Sequence, residues 1–100
     1  MKTLQMLWHN KQAMLTLDSF QSWLVTGGAD SIINVWTIIK DNLEHHSTLE
    51  RHSATVNKLK FHSSTGRLAS ASDDYSILIW KLKETEWIVA QALRGSSLFI

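Results

Sequence analysis

The chain has 100 residues, 44% hydrophobic and 19% charged, which fits one globular domain and excludes wholesale disorder. Ten Lys and Arg against nine Asp and Glu give a net charge of +1, so charge supplies no case for a nucleic-acid or membrane-surface protein. The absence of cysteine excludes a disulfide framework, a thiolate metal site and a thiol nucleophile. With neither a secretory signal nor the roughly 18 apolar residues of a membrane-spanning helix, we expect an intracellular protein.

Strand signals dominate the first half of the chain. A short apolar run at residues 24–26 ends at two glycines, and the β-branched segment 32–38 follows a polar turn. Residues 39–50 are the best helix candidate in the chain. Polar residues occupy most positions that a helical apolar stripe needs, so the helix signal there is weak.

The second half shows the same kind of signals. Residues 56–61 and 76–82 read as strands, separated by the turn at residues 63–66 and a second polar turn at residues 72–75. Residues 86–93 form a further strand candidate. The sequence therefore predicts an all-β protein.

An internal repeat relates the two halves. Four residue types recur at an offset of 44, in the pairs Leu24 and Leu68, Asp30 and Asp74, Ile33 and Ile77, and Trp36 and Trp80. A histidine precedes each of these tryptophans, 27 residues earlier in the first unit and 28 earlier in the second. A period of about 40–45 residues with four short strands per unit is typical of the WD40 repeat of β-propellers.

This pattern predicts about two four-stranded antiparallel WD40 blades, which form an incomplete propeller. The repeat's Gly-His and Trp-Asp signatures are altered here, to Trp-His or Arg-His and to Trp-Thr or Trp-Lys. The predicted organisation is an amino-terminal strand at 1–8, a first repeat at 9–50, a second at 51–95 and a divergent tail at 96–100. Open strand edges of such an arc favour aggregation or self-association.

The WD40 resemblance also implies a buried polar chain in each blade. In this family a tryptophan N–H donates to a hydroxyl, the hydroxyl meets a histidine, and the histidine meets the aspartate of a tight turn. Carried over to matching positions, the chain comprises Trp36, Thr26, His9 and Asp30 in the first blade and Trp80, Ser70, His52 and Asp74 in the second.

Three alternatives compete with this structural role. Ser70, His52 and Asp74 are also the ingredients of a hydrolase triad, but the Gly-x-Ser-x-Gly elbow is absent and the repeat of the set is left unexplained. The histidines at 45, 46, 52 and 62 lack cysteine partners and a helical His-x-x-x-His pair, which favours solvated loops over a metal site. Trp8, Trp23 and Trp87 could stack on a ligand, but packing is the better interpretation.

A closer resemblance covers about residues 3–95. Its most specific parts are Trp-His-Asn-Lys at 8–11 and the Trp-Lys pair at 80–81, supported by Leu-Glu-Arg-His at 49–52 and Leu-Arg-Gly at 93–95. These segments resemble the amino terminus of the small WD40 subunit family of chromatin assembly factor 1. The Hir-type histone regulators share the blade pattern but lack the Trp-His-Asn-Lys match. Ser96 stands where the family has a histidine that opens a third blade.

This resemblance implies a non-catalytic nuclear scaffold without cofactors. Its expected partners are other chromatin assembly factor subunits and H3–H4 histones, in nucleosome assembly coupled to replication and repair. In the family's seven-bladed ring, residues 3–8 would belong to the last blade. We expect partner contacts at Thr55, Asp73 and Tyr75, whose loops open on one face. The alternatives are a generic WD40 interaction scaffold, a Hir-type regulator, or a truncated fragment without a function of its own.

Overall fold

The computed structural model describes residues 14–94, which form two four-stranded antiparallel sheets. Each sheet is a meander whose strands pair in chain order, as a WD40 blade requires. The all-β prediction is confirmed. The first sheet contains β1 (Met14–Phe20), β2 (Trp23–Gly28), β3 (Ile33–Ile39) and β4 (Asn42–Leu49); the second contains β5 (Val56–Phe61), β6 (Leu68–Ser72), β7 (Ser76–Lys83) and β8 (Glu86–Arg94).

The two blades repeat each other in detail, including their irregularities. The turns before β3 and β7 are closed by matched bonds, from Ser31 N to Gly28 O at 3.1 Å and from Tyr75 N to Ser72 O at 3.2 Å. Ser31 and Tyr75 both adopt left-handed backbone, with φ of 66° and 68°. Each blade also shifts register immediately before its tryptophan, at Trp36 and at Trp80. The extra residue of each bulge lies on the partner strand, His46 on β4 and Ala90 on β8.

One segment differs from its sequence signal. Residues 39–50, the best helix candidate, contain the edge strand β4. Only Leu43 and Leu49 of this strand are buried, because its outer edge and most of its side chains face solvent. An edge strand therefore needs few apolar residues, and its pattern carries little information.

The hydrophobic core lies between the two blades. The first blade contributes Val25, Ile33 and Val35, all fully buried, to the face that meets the second. The second blade contacts it with the face of the sheet that carries Trp80. The remaining buried members of this layer are Leu49, Val56, Leu59, Phe61, Leu68, Leu78 and Trp87.

Polar side chains of β1 fix the relative position of the blades. The hydroxyl of Thr16 accepts a hydrogen bond from the backbone N–H of Leu59 at 3.1 Å. A carboxylate oxygen of Asp18 accepts one from Phe61 N–H at 2.7 Å. These donors lie on the edge of β5, which would otherwise hold unpaired N–H groups at the interface.

The outward faces of the pair are less covered than the interface. Leu17 of β1 pairs with Thr26 of β2, and Leu59 of β5 pairs with Ser70 of β6. Leu17 and Leu59 therefore occupy equivalent positions in the two blades. Leu59 is 1% exposed because it packs against the other blade, whereas Leu17 is 46% exposed. Burial of matched positions therefore depends on whether a neighbouring blade covers them.

Replacing Gly27 by alanine is expected to weaken the contact between blades. A Cβ atom at Gly27 would lie 2.8 Å from Cγ1 of Val56 and 3.1 Å from Cδ1 of Leu59. Val56 is β-branched and fully buried, so it has little freedom to move away. We expect a loss of about 1–3 kcal/mol in the free energy of unfolding, measured by chemical denaturation. The matched control is Ala71→Val, which adds volume at the equivalent position on the outward face and should cost less than Gly27→Ala.

Parts of the predicted organisation lie outside the described residues. These are the amino-terminal strand at 1–8, His9 and the divergent tail at 96–100. The proposed repeat boundaries stay predictions. Within residues 14–94, no helix has the length and apolar character needed to cross a membrane.

Candidate functional site

A continuous chain of polar side chains runs through the second blade. The indole N–H of Trp80 on β7 donates to the hydroxyl of Ser70 on β6 at 2.9 Å. Ser70 Oγ lies 2.8 Å from Nε2 of His52, and Nδ1 of His52 lies 3.0 Å from Oδ2 of Asp74. A neutral imidazole with its proton on Nδ1 satisfies every contact, since Ser70 then accepts from Trp80 and donates to His52.

Asp74 is the anchor of this chain. Its Oδ2 accepts from the backbone N–H of Ser53 at 3.0 Å as well as from His52. Its Oδ1 accepts from the backbone N–H of Ser76 at 2.9 Å and from the Ser76 hydroxyl. The side chain is only 4% exposed, so these bonds replace the water it loses. The aspartate thereby ties the segment before β5 to the turn before β7.

The environment of Asp74 favours its charged form. Burial by itself would raise the pKa of this carboxyl, because a charge is less stable away from water. The hydrogen bonds from the Ser76 hydroxyl, the Ser53 N–H, His52 and the Ser76 N–H outweigh burial and hold the pKa well below its ordinary value of 3.8. Asp74 is therefore a carboxylate at neutral pH.

One member of this network is not evident from the repeat. The hydroxyl of Ser76 contacts both Asp74 and Nδ1 of His52, the latter at 3.1 Å. The matched residue of the first blade is Ile32, so the repeat gives no indication of a polar role. The spacing Asp-x-Ser is the available signal, because an aspartate commonly accepts from the backbone two residues on.

The first blade shows the equivalent contacts among its described residues. The indole N–H of Trp36 donates to the fully buried hydroxyl of Thr26 at 3.1 Å. Oδ1 of Asp30 accepts from Ile32 N–H at 3.1 Å, as Asp74 does from Ser76. The structure thus brings Trp36 and Thr26 together and places Asp30 in the matched turn.

The geometry of Ser70 favours the structural interpretation over the hydrolase one. Ser70, His52 and Asp74 are hydrogen-bonded in the order of a catalytic triad. However, Ser70 is 0% exposed and its oxygen already accepts from Trp80. A nucleophile needs an open approach for the substrate carbonyl beside an oxyanion site. The arrangement instead links strands and loops of the blade.

The other three histidines within residues 14–94 make local contacts. His45 lies 3.1 Å from Asn34, His46 lies 3.0 Å from Ser47, and His62 lies 3.1 Å from Thr65. Across residues 14–94, no group of three or more His, Asp and Glu side chains is placed to hold a metal ion.

Thr55, Asp73 and Tyr75 lie together at one end of the second blade. The backbone N–H of Asp73 donates to the carbonyl of Thr55 at 3.0 Å. Asp73 also accepts from the side-chain amide of Asn57. Tyr75 is 74% exposed, so it presents a large ring to solvent beside an exposed carboxylate. Surface rings of this kind are common in protein interfaces.

Comparison with known families agrees with this geometry. The WD domain, G-beta repeat family matches residues 2–37 and 43–81. The chain belongs to the WD40 repeat family. The solved structure of Sqt1 from Saccharomyces cerevisiae superposes with a TM-score of 0.76 at 19% identity, over 84% of this chain and 23% of that one. At that identity the likeness shows the WD40 fold alone.

Curated relatives narrow the similarity further. The WD40 chain is 39% identical over 104 residues to the chromatin assembly factor 1 subunit FAS2 homolog of Oryza sativa subsp. japonica, covering 91% of this chain and 21% of the relative. It is 36% identical over 104 residues to the mouse (Mus musculus) B-subunit of chromatin assembly factor 1, covering 89% and 18%. The chain therefore spans about a fifth of the length of these relatives.

Proposed function

We propose that this chain is the amino-terminal part of a non-catalytic WD40 scaffold subunit of a chromatin assembly complex. The observation that carries the proposal is the 36–39% identity to subunits of chromatin assembly factor 1 over about nine-tenths of the chain. The complex would act in the nucleus and deposit H3–H4 histones during replication and repair. Its other subunits and the histones would be the partners.

A scaffold role suits the chemistry of the second blade. The chain from Trp80 to Asp74 uses its polar atoms to hold loops in place. Residues on fixed loops can then bind partners without an ordering cost on association. We assign this contact to Thr55, Asp73 and Tyr75, and we propose neither a cofactor nor a reaction. Labelling of the folded chain by a serine-directed fluorophosphonate would contradict the non-catalytic assignment.

The test is a pull-down with the purified, tagged chain from nuclear extract. We expect the soluble chain to retain the large chromatin assembly subunit or H3–H4 histones, detected by antibody. Asp73→Lys should reduce retention several-fold, because charge reversal at an interface opposes the partner's complementary charge. Asp41→Lys is the control for charge reversal, since Asp41 is exposed in the first blade, in the turn between β3 and β4 at the end away from the assigned contact.

Two results would oppose the proposal at different levels. A soluble chain that retains neither partner contradicts the assigned function. A chain that retains a partner equally well with Asp73→Lys keeps the function but removes the assigned contact face.

A further inference from the structure

A groove separates the two blades at the end opposite to Thr55, Asp73 and Tyr75. Its volume is about 500 Å³, within the range of roughly 300–1,000 Å³ usual for ligand pockets. The turn between β1 and β2 borders it on one side. The turn between β5 and β6, with the ends of β7 and β8, borders it on the other. Both blades are needed to form this groove.

The floor of the groove is aromatic and fixed by packing. Phe20, Trp23 and Trp87 line it, and the rings of Trp23 and Trp87 meet edge to face at 5.5 Å. Gly66 makes room for Phe20, because a Cβ atom there would lie 3.0 Å from Cε2 of that ring. Leu82, the cross-strand partner of Trp87, is 39% exposed beside these rings. This combination suits an apolar anchor side chain.

The rim of the groove carries two positive charges. Arg67 and Lys81 line it, and both are exposed. They occupy the next register positions after the paired residues Leu68 and Trp80 on neighbouring strands of the sheet. Like charges at such positions repel each other. Neither side chain makes an ion pair or side-chain hydrogen bond with any residue from 14 to 94, and no carboxylate lines the described groove.

One buried donor near the groove also lacks a partner. Nε1 of Trp87 is buried, and no acceptor among the described residues takes its proton. A buried N–H without a partner costs about 1–3 kcal/mol. The aromatic floor and the cationic rim together favour an anionic ligand that carries an apolar group.

We propose that this groove binds an acidic peptide segment through one apolar anchor residue. The anchor packs between Trp23 and Leu82, and flanking carboxylates pair with Arg67 and Lys81. The inference deepens the proposed scaffold function by giving the chemistry of one partner. It rests on that function in one respect, namely that the ligand is a segment of a protein. The groove is distinct from the contact face that contains Asp73.

The probe is a short fluorescent peptide of Asp, Glu and Ser with one central Leu, titrated against the complete chain by anisotropy. We expect saturable binding that shifts the indole N–H resonance of Trp87, assigned with Trp87→Phe. Replacing the peptide's Leu by Ser should weaken binding about tenfold through lost apolar burial. Replacing its Asp and Glu by Asn and Gln should weaken binding by a similar factor.

The decisive variant is the double change Arg67→Glu and Lys81→Glu, with an expected loss of about tenfold or more in affinity. Its matched control is Lys58→Glu with Lys60→Glu, which makes the same charge change at two exposed positions of β5 outside the groove. The control should bind within about twofold of the parent chain.

Each other outcome would overturn the proposal. No binding up to about 1 mM peptide would reject the groove as a site, as would equal binding of the Leu and Ser peptides. Equal losses in both charge variants would show general attraction to a cationic surface. Because this assay uses a purified chain and a synthetic peptide, its failure leaves the pull-down of chromatin assembly partners unaffected. Failure of the pull-down likewise leaves a measured peptide affinity in place.

Discussion

Replacing Trp80 by alanine is expected to lower the free energy of unfolding by about 3–5 kcal/mol. The side chain is 2% exposed and belongs to the core layer between the blades. Alanine leaves a cavity there and removes the donor to Ser70. Denaturant unfolding followed by circular dichroism measures the loss. In a domain of this size the variant is expected to be close to unfolded at room temperature.

A milder change keeps the interpretation testable if the alanine variant does not fold. Trp80→Phe keeps most of the ring volume and removes the indole N–H, so we expect a loss of about 1–3 kcal/mol. The control is Tyr75→Ala, where 74% exposure predicts a change within about 0.5 kcal/mol. Trp80→Ala and Tyr75→Ala variants of equal stability would contradict a stabilising role of Trp80 in the core between the blades.

Replacing Asp74 by asparagine is expected to cost about 3 kcal/mol at neutral pH. Both carboxylate oxygens accept hydrogen bonds, from His52 and Ser53 on one side and from Ser76 on the other. An asparagine amide presents an NH₂ group to one of these sets, so donors meet donors. Asp73→Asn is the matched control, because Asp73 is exposed and accepts only from Asn57 among the side chains described around it. The control should change stability by no more than about 0.5 kcal/mol.

The same variant has a characteristic pH dependence. The pKa of Asp74 in the folded chain lies below its ordinary value of 3.8, so the folded state binds this proton more weakly than the unfolded state. Its stabilisation is fully present above 3.8 and is lost as the pH falls below that value towards the lower folded pKa. The stability gap between parent and Asp74→Asn should therefore narrow below pH 3.8. A gap that stays constant from neutral pH into that acid range would contradict the assigned role.

The sequence was most informative where the two blades repeat a local pattern. The predicted strands that match β2, β3, β5 and β7 each hold apolar or β-branched residues next to turn residues, and the structure has all four. The matched turns ending at Ser31 and Tyr75 also follow from polar residues at one offset. These features depend on residues close in the chain. Their physical causes are the alternation of apolar and polar residues in strands and the preference of particular residue types for turns, and the sequence shows both.

Other features could not be predicted from the sequence. The strand β4 has a polar sequence because an edge strand buries little, and Ser76 joins the network of Asp74 at a position where the first blade has an isoleucine. No sequence pattern singles out Thr16 and Asp18 of β1. Their partners are N–H groups 43 residues away, which only the docked blades reveal.

By itself, the sequence determined the all-β class and the two-blade repeat, and the WD40 resemblance implied which residues form the buried polar chain of the second blade. The tertiary structure decided which of two equivalent positions in the blades is buried by the neighbouring blade. It also decided that Gly27 has no room for a side chain, and that a cationic groove lies between the turns of both blades. The physical reason is the range of the interactions. Strand and turn preferences act over a few residues, whereas packing and charge pairing depend on which distant surfaces meet.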